Sequence, residues 1–408
     1  MISYQEALTG VLAHAQSLGC ERVALSRLHG RVLAMPVYAK ADSPAFDNAM
    51  FDGYGLRVDD VSRAEPTSPV SLRLQGTCHA GDCAPVAPGP GEAVRILTGA
   101  PIPPMVEAVI KQEECLASDG MVWICRPVAP GESIRRRGGE YRQGAALLAP
   151  GTRLTPSCIG TLAAAGHASA PVFRMPRVGL MVTGSELVAP GRRRQGGLVY
   201  DAGSSSLRAA FSALGIRVDH AVVPDDWEML QERFSGFLAT CDVIITVGGA
   251  SVGDRDYIGR LFTHFGIHPL FDRVAMKPGK PTLFACRQRQ DHAPQLIFGL
   301  PGNPVSSLLT FHQFVAPALR KMLGRSDYLP TTSKATLTTQ ITKEVGRLEF
   351  VRGTVQQEET EIIVTPTIGQ ESHMLLGLAN ANCLIHCPAE VAAIEAGEGV
   401  IIQVLDWS

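Results

Sequence analysis

The sequence predicts a multidomain α/β plus β protein. The prediction places a doubly wound, mostly parallel α/β sheet at the centre, with a β-rich inserted domain, a small helical domain and a carboxy-terminal β domain of barrel type. Three observations lead there. At 408 residues the chain exceeds one ordinary core. Between Arg177 and Tyr328, short branched apolar runs alternate with helical patterns. On either side the texture changes to short apolar runs broken by its abundant Gly (41) and Pro (28).

The elements follow in order. Ser3 and Glu6 have capping-box spacing and open an amphipathic helix expected to reach Leu18. The first forty residues read as mainly helical. Residues 46–141 read as the β-rich domain. Thr155 and Pro156 then start a helix ending near Gly166, which is expected to pack on the amino-terminal helix and so make residues 46–141 an insertion. Units at 1–45 with 142–175, 46–141, 176–328 and 329–408 result. Strands are expected at 178–182, 218–223, 243–247, 282–286 and 296–298. Between them Leu207, Ala210, Phe211 and Leu214, then Trp227, Leu230 and Phe234, mark helix faces. Strands alternating with helices imply a parallel sheet covered on both faces. From Ala335 an alternating pattern begins the final β segment, which runs to Leu405.

Composition excludes several classes. A formal charge of −2 gives no basis for a nucleic-acid surface. No apolar run has the length of a membrane span, and no leader pattern opens the chain. The ten Cys are scattered, and neither Cys78/Cys83 nor Cys383/Cys387 has a partner pair at zinc-site spacing. Reduced thiols in a cytoplasmic protein are expected.

Ligands of open α/β sheets bind beyond the carboxyl ends of the strands, so the loops there are the candidate site. They carry Gly184 and Glu186, then Asp201, then Asp225 and Asp226, then Gly248, Gly249, Ser251, Gly253 and Asp256. Lys277 and Lys280 lie in Lys-Pro-Gly-Lys-Pro, ending at Pro281, and Pro301, Gly302, Asn303 and Pro304 follow the last strand. Gly-rich turns before helices present backbone N–H groups to anions. The two Lys add point charges for a phosphate or another oxyanion. Carboxylates beside a phosphate site commonly hold Mg²⁺, and Glu186, Asp225, Asp226 and Asp256 supply hard oxygen ligands for it, with Glu186, Asp225 and Asp256 as the metal set.

Residues 249–253 also match the nucleophile elbow Gly-x-Ser-x-Gly. A triad would require a His after a later strand. His264, His268 and His312 fall on or beside helices instead, and a hydrolase has no role for the paired Lys. Ser251 is therefore read as shaping a phosphate-binding turn. The β-rich domain carries its own polar groups: Asp52, Thr98, Glu140, Lys111 and the run Arg135, Arg136 and Arg137, which together suggest a second anion-binding wall.

Seven motifs occur in one order: Asp-Gly-Tyr at 52–54, Thr-Gly-Ala-Pro at 98–101, Arg-Arg-Arg-Gly at 135–138, Thr-Gly-x-Glu at 183–186, Gly-Gly-x-Ser-x-Gly-x-x-Asp at 248–256, Lys-Pro-Gly-Lys-Pro at 277–281 and Pro-Gly-Asn-Pro-Val-Ser at 301–306. In that order they resemble the molybdopterin molybdenumtransferase family, which includes the carboxy-terminal domain of gephyrin. The resemblance spans essentially the whole chain. It implies insertion of molybdate into adenylylated molybdopterin, with AMP release and Mg²⁺ as cofactor. It also implies a homodimer whose cleft lies between the α/β domain of one subunit and the β-rich domain of the other, and raises a molybdopterin adenylyltransferase as a partner.

By matched position the resemblance gives functional roles to Asp52, Thr98, Glu140, Glu186, Asp225 and Asp256. It places Lys277, Lys280, Pro281, Ser306, Arg352 and Ser372 in the molybdate-binding region. This chain departs from the family pattern at Gly139 and Glu140, where Glu-Asp is usual, at Ala202 and Gly203, where a hydroxyl residue and Asn are usual, and at Phe51, where Met is usual. Two alternatives therefore stand beside the transferase: a non-catalytic molybdopterin-binding scaffold on the same fold, marked by bound ligand without turnover, and a molybdopterin adenylyltransferase, marked by ATP consumption without molybdate.

Overall fold

The computed structural model describes residues 1–82, 86–249, 257–290, 292–359 and 361–407. The amino-terminal capping box forms: Glu6 N–H donates to Ser3 Oγ at 3.2 Å, and Ser3 N–H donates to Glu6 Oε2 at 2.8 Å. The helix spans Tyr4–His14 and buries Ala7, Leu8 and Val11. It stops short of Leu18 because Ala15 turns extended, at φ −76 and ψ 93. The chain then enters a strand, Cys20–Ala24, paired antiparallel with Ser169–Phe173. The first forty residues are thus less helical than their pattern suggests. Their strand is completed by a partner far along the chain, which no local window can show.

The helix Pro156–Ala164 starts as expected, with Thr155 capping Cys158 N–H. Its buried Leu162 packs with Leu28, Leu33 and Val172, in the core of that two-stranded ribbon. It does not pack on the helix Tyr4–His14, whose apolar face instead joins the α/β core beside Phe314 and Leu319. Between these flanks lies a six-stranded sheet in the order 108–111, 53–56, 92–96, 70–78, 121–124, 115–118. Tyr54, Leu56, Leu72, Ile110 and Val122 form one of its cores.

The α/β sheet has the order 218–223, 178–183, 243–247, 292–300, 283–289, 269–271. Its first four strands are parallel. Leu283–Arg289 runs antiparallel to His292–Leu300, so the last two long strands form a hairpin rather than a crossover. Alternate residues serve opposite faces. Leu180, Val182 and Ile245 meet Leu207 and Phe211 on one side, and Met181 and Ile244 meet Phe234, Phe237 and Phe262 on the other. At Gly179 an added Cβ would lie 2.6 Å from the Phe237 ring, so only glycine lets that helix come so close.

The carboxy-terminal strands 348–358, 361–366, 332–337, 399–404 and 383–387 close on themselves, since the first also pairs with the last. This is a small closed barrel, which removes exposed sheet edges. Met276–Lys277 pairs in parallel with Leu348–Glu349 at its margin. The Lys-Pro-Gly-Lys loop is thereby tied to barrel and α/β sheet together.

Candidate active site

The strand order reverses beside Val178–Thr183. The chain leaves it for Val218–Val223 on one side and returns to Val243–Val247 on the other. A cleft of about 960 Å³ opens there, at the carboxyl ends of the strands. Besides Asp201, eleven of the residues singled out from the sequence line it: Gly184, Glu186, Asp225, Gly248, Gly249, Lys280, Pro281, Pro301, Gly302, Asn303 and Pro304.

Close backbone approach explains the glycines. Gly248 has φ +88, and a Cβ there would sit 2.8 Å from the Thr183 carbonyl oxygen. A Cβ on Gly302 would lie 3.4 Å from Gly248 Cα, so these two turns stack directly. Gly184, at φ +151, leaves room for the Glu186 carboxylate, which a Cβ would meet at 2.7 Å. The Asp225 N–H donates to Ser185 Oγ at 2.9 Å, which ties this loop to the Gly184 turn. Its neighbour Asp226 caps the helix Trp227–Thr240 through Met229 N–H and has a structural role.

Asp201, Asp272 and Arg273 also line the cleft. Asp201 is buried and caps the helix Ala202–Ala213, its Oδ1 accepting from Ser204 N–H at 2.8 Å. Asp272 and Arg273 were not singled out from the sequence. Their signal was their place between the short strand Pro269–Phe271 and the Lys-Pro-Gly-Lys loop. Gly203, a departure from the family pattern, lines the cleft too, and a Cβ there would meet nothing nearer than Asp201 Oδ1 at 3.8 Å.

The remaining residues sit around this cleft or elsewhere. Lys277 Nζ is 2.9 Å from Glu349 Oε1 of the barrel. Asn303 Nδ2 donates to Ser372 Oγ at 2.9 Å, joining the last α/β loop to a barrel loop. Arg352 is buried, and its guanidinium donates to the carbonyls of Gly369 at 2.7 Å and Glu371 at 3.3 Å, which positions the loop carrying Ser372. Ser306 is buried in the first turn of the helix Pro304–Thr310. Ser251, Gly253 and Asp256 lie outside the described residues.

Asp52, Thr98 and Glu140 do not line this cleft among the described residues. Thr98 donates its N–H and its hydroxyl to Asp52 Oδ1. The hydroxyl bond, then the N–H bond, hold the Asp52 carboxyl below the usual Asp range. Glu140 accepts from Ser43 Oγ at 2.8 Å. Within the Arg run, Arg136 pairs with Asp47 at 2.7 Å and Arg137 with Asp42 at 2.6 Å. Those two guanidiniums fasten the segment 42–47, and Lys111 lies 4.4 Å over the Phe51 ring.

Among the described residues no three His, Cys, Asp or Glu side chains converge as a metal cage. Glu186, Asp225, Asp201 and Asp272 do share the cleft. That donor set fits Mg²⁺, which takes one or two carboxylates and completes its shell with water and substrate oxygens.

The cleft at the strand-order reversal, the loops tied to it and the closed barrel together define a multidomain α/β ligand-binding architecture. The family description "MoeA N-terminal region (domain I and II)" matches residues 2–166, "Probable molybdopterin binding domain" matches 179–321, and "MoeA C-terminal region (domain IV)" matches 334–405. The chain is 33% identical over 387 residues to the molybdopterin molybdenumtransferase of Haemophilus influenzae, covering 94% of this chain and 93% of that one. It is 36% identical to molybdopterin molybdenumtransferase 2 of Mycobacterium tuberculosis, covering 94% of each. The crystal structure of the molybdopterin biosynthesis moeA protein from Pyrococcus horikoshii superposes with TM-score 0.78 at 29% identity, covering 99% of this chain and 100% of that one. The chain belongs to the molybdopterin molybdenumtransferase family.

Proposed function

We propose that this protein inserts molybdate into adenylylated molybdopterin, releasing AMP and yielding molybdenum cofactor. The observation that carries this reading is the convergence of twelve expected residues on one cleft at the strand-order reversal, in a chain that matches the family along nearly its whole length. The turns at Gly184, Gly248 and Gly302 present backbone N–H groups to the pyrophosphate, and Lys280 adds charge. Lys277, Ser306 and the loop held by Arg352 receive molybdate, a tetrahedral dianion suited to cationic and hydroxyl donors. Proximity of molybdate to the pterin sulfurs then supplies much of the rate.

Mg²⁺ held by Glu186 and Asp225, with Asp256, would neutralise the pyrophosphate and favour departure of AMP. Asp52 and Thr98 act from a second copy in a homodimer, a reading supported by the cleft lining, which among the described residues comes from 182–304 alone and leaves one side open to a partner. A molybdopterin adenylyltransferase delivers the substrate. No helix among the described residues is long and apolar enough to cross a membrane. The scattered thiols are consistent with a cytoplasmic setting.

The test incubates purified protein with adenylylated molybdopterin and molybdate, with and without Mg²⁺, and reads cofactor by activation of a molybdenum-free apoenzyme. Activation that requires all three components is expected. Tight binding of the pterin without activation would support the scaffold instead, and ATP consumption without molybdate would support the adenylyltransferase.

A further inference from the structure

A second cavity, of about 1120 Å³, lies at the opposite end of the α/β sheet, where the strands Val178–Thr183 and Val218–Val223 begin. The rise of the strand between the two places them roughly 16 Å apart. Six arginines line this cavity: Arg27, Arg31, Arg153, Arg177, Arg217 and Arg325. Among the described lining residues Asp219 is the one carboxylate, and it is engaged by Arg233. Arg31 pairs with Glu21 at 2.6 Å and Arg325 with Asp327 at 2.8 Å. The side chains of Arg27, Arg153, Arg177 and Arg217 have no hydrogen bond or ion pair among the described residues.

Around this concavity the guanidiniums of Arg27, Arg177 and Arg217 have no paired carboxylate among the described residues, and Arg153 is offset only by the field of Asp327, which already pairs with Arg325, so positive charge accumulates there. The chain as a whole carries a formal charge of −2, so this is a local accumulation. The helix Ala202–Ala213 ends at the wall, but its last carbonyls already accept from Leu214, Gly215 and Ile216 N–H groups. Its dipole contributes about half a charge, too little to balance them. Met175, Val178, Leu214 and Leu323 add apolar surface to the same walls.

We propose that this cavity binds a small molecule bearing two or more linked phosphate groups, at a site separate from the α/β cleft. Arginine forks bind phosphate oxygens in pairs, and the apolar wall accepts the body of a nucleoside. Inorganic polyphosphate and nucleoside polyphosphates share this chemistry.

The test is calorimetric titration of the full chain with inorganic tripolyphosphate and, separately, ATP. It is repeated on Arg27→Ala/Arg217→Ala, on Arg153→Gln and on Lys280→Ala, which lies in the other cleft. Arg27, Arg153 and Arg217 are all exposed, and thermal melts confirm the fold of each variant. Both probes carry the linked phosphates assigned to the Lys280 cleft, so two saturable sites per chain are expected, one weakened in Lys280→Ala and the other weakened about tenfold or more in the double variant. Equal affinity for both probes assigns the site to the phosphate chain alone, and preference for ATP assigns it to a nucleotide. Stoichiometry and affinities unchanged in the double and Arg153→Gln variants, or loss of all binding in Lys280→Ala, overturn the proposal. So does binding of poly-glutamate with neither phosphate probe, which would mark a docking site for an acidic protein segment, and so does no binding of any probe.

Discussion

Lys277 Nζ lies 2.9 Å from Glu349 Oε1, so an ion pair joins the α/β domain to the barrel at the proposed molybdate site. Glu349 is nearly buried whereas Lys277 is half exposed, and the two backbones are paired in register as well. Replacing Lys277 strands a shielded carboxylate. Lys277→Ala is expected to cost about 1–3 kcal/mol of stability, read by denaturant unfolding, and to abolish molybdate-dependent turnover. Lys277→Ala/Glu349→Gln is expected to restore most of the stability and none of the turnover.

Thr98 binds one oxygen of Asp52 through two donors. Because they hold the Asp52 pKa below its ordinary value, Asp52 stays ionised as pH falls through the usual range near ~3.9. Its contribution to activity is therefore present at neutral pH and lost only below that range. Thr98→Val removes the hydroxyl and leaves the N–H, so the acid limb of the pH–rate profile moves up. Asp52→Asn is expected to lower turnover about 100-fold or more. An unshifted acid limb in Thr98→Val would detach Asp52 from the chemistry.

If the cleft is completed by a second copy, variants in its two walls complement each other. Asp52→Ala and Asp225→Ala are each expected to be inactive. Mixed and allowed to exchange subunits, they should recover roughly a quarter of wild-type activity, since half the dimers carry one intact cleft of two. No recovery after verified exchange would place both residues in one subunit's site.

Asp242 is buried at the start of the central strand, where it accepts from Arg177 N–H at 2.9 Å and pairs with Arg174 and Arg289. Burial alone would raise its pKa, but the Arg177 N–H and then the two guanidiniums outweigh it, and the net direction is down. A depressed folded-state pKa contributes stability that is present above the unfolded value and lost as pH falls toward the folded one. Asp242→Asn is expected to cost about 3 kcal/mol near neutral pH and progressively less in acid. Equal losses at neutral and acid pH would contradict this assignment.

Gly179 abuts the Phe237 ring on the far side of the sheet from the Phe211 core. Gly179→Ala is expected to destabilise the fold by about 1–3 kcal/mol through overpacking. Gly248→Ala acts locally instead, through its positive φ and the Thr183 carbonyl, and should lower activity more than its melting temperature suggests.

The parts legible from sequence were those with local chemistry. Ser3 and Glu6 announced their helix, and Thr155 with Pro156 announced another. The alternation of 178–183 with 243–247 announced a sheet buried on both faces. Long-range pairing escaped: Cys20–Ala24 needed Ser169–Phe173, and the hairpin formed by 283–289 and 292–300 needed its own register. At the site, the Gly and Pro turns were readable because their constraint is backbone conformation. The ion pairs of Arg136 and Arg137 were not, because spacing does not reveal which carboxylate folds beneath a guanidinium. Asp272 and Arg273 were missed for a related reason. They reach the cleft only because Pro269–Phe271 forms the sheet's edge strand.

The most direct test of the central claim is AMP release from adenylylated molybdopterin, followed with and without molybdate in the presence of Mg²⁺. AMP release that depends on molybdate and matches cofactor formed, mole for mole, is the predicted result. Release at the same rate without molybdate, or no release from a protein that binds the pterin, would contradict it.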